Sequence, residues 1–102
     1  MKKGDEVHFQ VIFRGWAGEL LEADCPGGTC EVSAPQGIFL RDFFSQWLQG
    51  RPKAREYFWD ADHKRFKAEV MVILNGKYQS PDEEVELREG DTLTILPVAS
   101  GG

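Results

Sequence analysis

The chain has 102 residues, 41% of them hydrophobic, with 17 acidic against 12 basic side chains and a formal net charge of −5. That length is most simply one domain, able to bury a core without staples, and the apolar fraction argues against a disordered chain. The acid excess speaks against a nucleic-acid binder, since phosphate contacts need a basic face, and it suits solubility and a basic protein partner.

Met1-Lys2-Lys3 starts positively, but no apolar run follows that could serve as a signal core or membrane span, so a cytoplasmic protein is expected. Val7 to Phe13 alternates with period two. It predicts a strand with Val7, Phe9, Val11 and Phe13 on the core and His8, Gln10 and Ile12 on the other face. Gly15 and Gly18 flank Trp16 and loosen its end. Pro26-Gly27-Gly28 is a turn signal, because Pro presets φ and Gly supplies positive φ. Cys30 to Ser33 then reads as a short return strand after a long, irregular connection. Three readings of Cys25 and Cys30 compete. The favoured one is two small side chains in a loop. A reversible disulfide across the turn comes second. A zinc half-site comes third, because zinc wants four ligands and only His8 and His63 remain.

Leu40, Phe43, Phe44, Trp47 and Leu48 recur at helical spacing, with Arg41, Asp42, Ser45 and Gln46 opposite, and Gly50 and Pro52 end the helix. Ala54 to Trp59 allows a further helical turn, and Asp60 to His63 reads as a loop. The aromatics between Tyr57 and Phe66 are expected to pin this segment onto the core. Val70 to Leu74 is a strand, Asn75-Gly76 a hairpin turn and Lys77 to Gln79 a short return. Ser80 to Gly90 is a loop. Its acidic run, Asp82 to Asp91, is expected to be solvated, the functional alternative being that it steers a basic partner. Thr92 to Pro97 is the last strand, with Leu93 and Ile95 inward, and Pro97 marks its stop. No glycine-rich stretch has the strand–loop–helix context with a lysine that cradles phosphate, so this chain is not expected to bind ATP itself.

This order predicts an α+β fold, a ubiquitin-like β-grasp: a mixed sheet of four to five strands packed on one main helix, with the terminal strands side by side. Residues 1–97 would form that domain and residues 98–102 a flexible diglycine tail.

Val70-Met71-Val72-Ile73-Leu74-Asn75-Gly76, then Glu89-Gly90-Asp91, then Leu96-Pro97-Val98 and Gly101-Gly102 resemble, in order and spacing, the MoaD/ThiS sulfur-carrier family. The long first half and the Leu-Pro-Val-Ala-Ser-Gly-Gly ending look more like MoaD, the small subunit of molybdopterin synthase. The Cys25 to Cys30 connection and the Tyr57 to Phe66 segment depart from the pattern. The resemblance implies a carrier protein rather than an enzyme. Gly102 would be adenylated with ATP by a ubiquitin-activating-type adenylyltransferase, MoeB- or ThiF-like, with Gly101 its required neighbour. A sulfur donor such as a cysteine desulfurase or rhodanese would make the thiocarboxylate. An acceptor such as the large subunit of molybdopterin synthase would take the sulfur for molybdenum cofactor biosynthesis. No cofactor, nucleic acid or membrane is implied for this chain. The alternatives are a modifier joined to lysines through Gly102, a sulfur carrier for thiazole, cysteine or tRNA thiolation, and a plain binding module with an inert tail.

The residues of the tail agree with this. Two glycines lack a Cβ, so the backbone can thread a narrow channel in another protein. Ordering them costs roughly 1–2 kcal/mol per residue, which binding of the folded body must offset. The expected docking face is the outer side of the sheet. Ile12, Met71, Ile73 and Leu96 point that way, and Pro97 and Val98 complete the set. The competing expectation is that the Tyr57 to Phe66 segment folds over this face, or that a few surface apolar residues carry no meaning.

Overall fold

A computed structural model describes residues 5–80 and 83–98. The chain begins with β1 (Glu6–Phe13) and continues through α1 (Trp16–Leu20), a 3₁₀ turn at Pro26–Gly28 and β2 (Thr29–Pro35). Next come α2 (Leu40–Trp47), a 3₁₀ turn at Leu48–Gly50 and α3 (Pro52–Phe58). The last third holds β3 (Trp59–Asp60), β4 (Arg65–Phe66), β5 (Val70–Leu74), β6 (Lys77–Gln79) and β7 (Thr92–Pro97). Five strands form one mixed sheet in the order β2-β1-β7-β5-β6, and β3 and β4 form a separate small hairpin. β1 and β7 run parallel at the centre, while β2, β5 and β6 pair antiparallel with their neighbours. This is the ubiquitin-like β-grasp that the order of elements predicts.

The inner face of the sheet follows from alternation. Val7, Phe9, Val11 and Phe13 of β1, Leu93 and Ile95 of β7, and Val70 and Val72 of β5 are all buried. α2 covers them with Leu40, Phe43 and Phe44, helped by Leu48 and the half-buried Trp47. Aromatic contacts run through this core in a chain: Phe9 to Phe43 at 5.0 Å, Phe43 to Phe44 at 4.9 Å, and Phe44 to Phe66 at 4.9 Å between ring centroids. Such edge-to-face pairs add about 0.5–1.5 kcal/mol each beyond the area they bury.

The stretch expected to be irregular between β1 and β2 is more ordered than its sequence suggests. α1 is one helical turn and a little more, too short to hold itself by propensity alone. It is fixed from behind: the Cys25 N–H donates to the Leu21 carbonyl at 2.7 Å, and Cys25 and Cys30 are disulfide-bonded. The favoured expectation of two unlinked small side chains is therefore corrected. Gly27 and Gly28, at φ +71° and +88°, fold the chain back so that the two cysteine Cα atoms lie 4.8 Å apart. Both residues are buried, and among the described residues no third ligand joins them for a metal.

The Asp60 to His63 loop is the turn of the β3–β4 hairpin. Asp60 Oδ1 accepts the backbone N–H groups of Asp62 and His63, and its Oδ2 lies 2.9 Å from His63 Nδ1. These bonds, the His63 side chain foremost, hold the Asp60 carboxyl below its usual range. Arg41 of α2 reaches across and donates to the His63 and Lys64 carbonyls at 3.1 and 3.0 Å. The acidic connection before β7 is not wholly solvated either. Leu87 is fully buried, and Ile38, Leu40, Val85 and Leu87 exchange backbone hydrogen bonds at 2.7 and 3.0 Å, strapping this loop to the start of α2. No helix among the described residues is long and apolar enough to cross a membrane.

Candidate functional site

The outer face of the sheet is set by register. Ile73 on β5 stands opposite Thr94 on β7 and Tyr78 on β6, and Thr94 stands beside Ile12 on β1. Ile12, Thr94, Ile73 and Tyr78 therefore form one row across four strands. Met71 opposite Leu96 forms the start of the next row, and Pro97 lies opposite Val70 at the strand end. Ile12, Met71, Ile73, Leu96 and Pro97 are each half-buried, and Val98 is 47% exposed. Ile12, Met71, Ile73 and Leu96 share the outer face, as alternation predicts, whereas Pro97 has the inward parity of Leu93 and Ile95 and, with Val98, lies at the strand end. Thr94 and Tyr78, which belong to the same row, were not singled out; strand alternation carried the signal for both.

Two features keep this surface open. Trp59 and Phe66 pack against each other at 5.1 Å, and Phe66 packs on Phe44 of α2, on the opposite side of the sheet. So the aromatic segment does not cover the outer face. The strand end is also held in place, since the Val98 N–H donates to the Glu69 carbonyl at 2.7 Å, one residue past β7. Gly101 and Gly102, the residues expected to carry chemistry, lie outside the described residues.

The start of β7 is fixed by a residue that the sequence marks only as a turn. Asn75 has φ +50° and Gly76 φ +87°, the left-handed pair a tight hairpin needs. The Asn75 side chain also donates to Asp91 Oδ1 at 2.9 Å and accepts the Thr92 N–H at 2.9 Å. It thus ties the end of β5 to the beginning of β7 from both sides. Beside it, Glu89 accepts the His8 backbone N–H at 2.8 Å. That bond, more than the His8 ring at 3.4 Å, keeps the Glu89 carboxyl below its usual range.

Their hydrogen bonds hold the Asp60 and Glu89 carboxyls toward the ionised form. Among the described residues no buried side chain is polar or charged, both cysteines are consumed in the disulfide, and no cluster is arranged to hold a metal. An open depression of about 540 Å³ near His8, Phe9, Gln10, Glu31, Val32 and Thr92 lies at the far end of the sheet from Val98.

The model of the ThiS family matches residues 18–102. No curated protein matches the sequence. Among solved structures, the Haloferax volcanii HVO 2177 protein is similar at a TM-score of 0.78 and 14% identity, over 100% of this chain and 92% of its own. A Pyrococcus furiosus protein, described as a candidate molybdopterin converting factor, subunit 1, is similar at 0.63 and 26% identity, over 91% and 99%. The small archaeal modifier protein 1 of Methanosarcina acetivorans is similar at 0.64 and 23% identity, over 97% and 100%.

Proposed function

The chain belongs to the MoaD/ThiS-like sulfur-carrier family, and from that premise we propose that it is a carrier whose Gly102 carboxylate is activated by a partner enzyme and then handed on. The observation that carries this is the reach of the family match, which runs through the diglycine at residues 101–102. A carboxylate is a poor acyl donor until it gains a leaving group. The partner supplies one by joining it to the α-phosphate of ATP, with pyrophosphate released. A nucleophile then attacks the carbonyl carbon and AMP departs. Sulfur as that nucleophile leads to a thiocarboxylate, and a lysine amine gives an isopeptide bond. The body contributes recognition and no catalytic group. Ile12, Met71, Ile73, Leu96, Pro97 and Val98 offer the surface on which partners seat, and residues 98–102 reach into their sites.

For the destination, the ThiS match supports sulfur donation of the thiazole type, and attachment to lysine is the same acyl chemistry with a different nucleophile. Both stand ahead of the molybdopterin branch, which is supported by the Pyrococcus furiosus similarity at 26% identity. Intact mass spectrometry separates sulfur donation from attachment to lysine. Incubation with a ThiF- or MoeB-like enzyme, ATP and a sulfur donor should replace one oxygen of Gly102 by sulfur, and a variant lacking Gly101-Gly102 should not react. Heavier lysine-linked products in cells would mark the modifier fate. If a known carrier is converted under the same conditions and this chain gains neither AMP nor sulfur, the carrier proposal fails.

A further inference from the structure

Two exposed aromatic rings meet at the end of the sheet toward which β1 and β7 both run. The Arg14 N–H donates to the Ile95 carbonyl at 3.0 Å, so the chain enters α1 level with the end of β7. Trp16 opens α1, and Tyr57 lies near the end of α3. The Trp16 ring is 5.4 Å from the buried Phe58, which anchors it, and 5.5 Å from Tyr57 at an angle of 72°. Two ring faces thus stand almost at right angles, and Trp16 and Tyr57 are still 44% and 54% exposed. With Glu19 and Leu20 they line an open depression of about 430 Å³. Glu19 takes part in no ion pair among the described residues.

The same molecule contains an occupied version of this chemistry. The Arg51 guanidinium lies 3.9 Å above the centre of the Trp47 ring, and its Nε donates to the Asp24 carboxylate at 3.1 Å. An indole face and a carboxylate there hold one arginine. Trp16, Tyr57 and Glu19 present the same groups, with a second ring added, to the outside.

We propose that Trp16, Tyr57 and Glu19 form a receptor for an arginine side chain carried by a partner protein that docks beside the end of β7. A guanidinium is planar, so it stacks on one ring while its edge donates to the carboxylate; a lysine ammonium matches only as a point charge. A purely apolar occupant would leave the Glu19 carboxylate desolvated and unpaired. The net charge of −5 favours a basic partner in the same sense. The site uses nothing of residues 99–102, so its test is independent of whether Gly102 is activated.

The test is a titration of the ¹⁵N-labelled full chain with N-acetyl-arginine-methylamide, followed by amide and indole N–H shifts. The neutral, isosteric citrulline amide is the comparison. Saturable shifts are expected at the Trp16 indole and around Tyr57, with arginine binding roughly three- to tenfold more tightly than citrulline. Glu19→Gln should lower that preference at least about twofold, and Tyr57→Ala should abolish saturation. Both replacements sit at exposed positions and leave Phe58 in place, so the fold survives them. Equal binding of citrulline, a preference untouched by Glu19→Gln, or shifts confined to the Trp47 indole would each overturn the proposal.

Discussion

Replacing Gly28 by alanine would show how tightly the chain is closed over the end of β1. Gly28 has φ +88°, and a Cβ built on it would lie 2.7 Å from the Phe13 carbonyl oxygen. Gly27 beside it has φ +71°, but its Cβ would meet nothing within 4 Å. The neighbours therefore separate two effects. A left-handed backbone costs a residue with a Cβ roughly 1–2 kcal/mol, and both alanine variants incur it. A smaller gain from stiffening the unfolded chain, about 0.4–1 kcal/mol, is also common to both. Only at Gly28 does the new methyl strike a backbone atom, and one in the central strand of the sheet. Relief requires β1 or the disulfide-bonded turn to shift, which adds roughly 1–3 kcal/mol by the scale of overpacked sites. The net expectation is a loss of about 1 kcal/mol for Gly27→Ala and about 2–4 kcal/mol for Gly28→Ala. Urea unfolding followed by tryptophan fluorescence reads both as shifts of the midpoint at constant slope. Equal midpoints for the two variants would refute the close approach on which this reasoning depends.

Reduction of the Cys25–Cys30 disulfide, whose ends are separated by five in sequence, should lower stability by about 2 kcal/mol in the chain-entropy account. An unfolding midpoint that does not change on adding a phosphine reductant would count against that account. Asp60 is held below its ordinary value in the folded chain, so its contribution is complete above the usual carboxylate range. That contribution is lost as pH falls through the lowered value. Wild type should accordingly lose more stability than Asp60→Asn between neutral and acidic buffer, and parallel curves would exclude the effect. Ile73→Lys removes an apolar member of the outer row. It should change unfolding free energy by no more than about 1 kcal/mol. It should also raise the KM for adenylation by the partner about tenfold or more, as loss of an interface anchor does. An unchanged KM would take Ile73 out of the docking surface.

Much of this architecture is legible in the sequence because three local codes agree with the tertiary fold. Alternation from Val7 to Phe13, helical spacing from Leu40 to Leu48 and the left-handed Asn75-Gly76 pair each specify one element. Leu87 escapes because its alternation with Val85 spans only two apolar residues, too short in an acidic loop to read as a strand. The disulfide ranks only second in the sequence because its formation depends on how Gly27 and Gly28 turn the chain, which spacing does not state. The candidate docking row is readable where strand register is readable. Ile12, Met71, Ile73 and Leu96 follow from alternation, as do Thr94 and Tyr78, but their union in one row follows only once β7 is known to lie between β1 and β5. The meeting of Trp16 with Tyr57 joins two helices far apart in the chain, and no local pattern encodes it.

The placement of β7 has a consequence for how the molecule is made. β2 and β1 form one pair and β5 and β6 another, and β7 alone joins the two in the sheet. Without residues 92–97 the chain therefore holds two strand pairs with no shared sheet. A chain ended early cannot complete its core and remains open to proteolysis. A complete sheet therefore depends on the same strand that leads to residues 99–102.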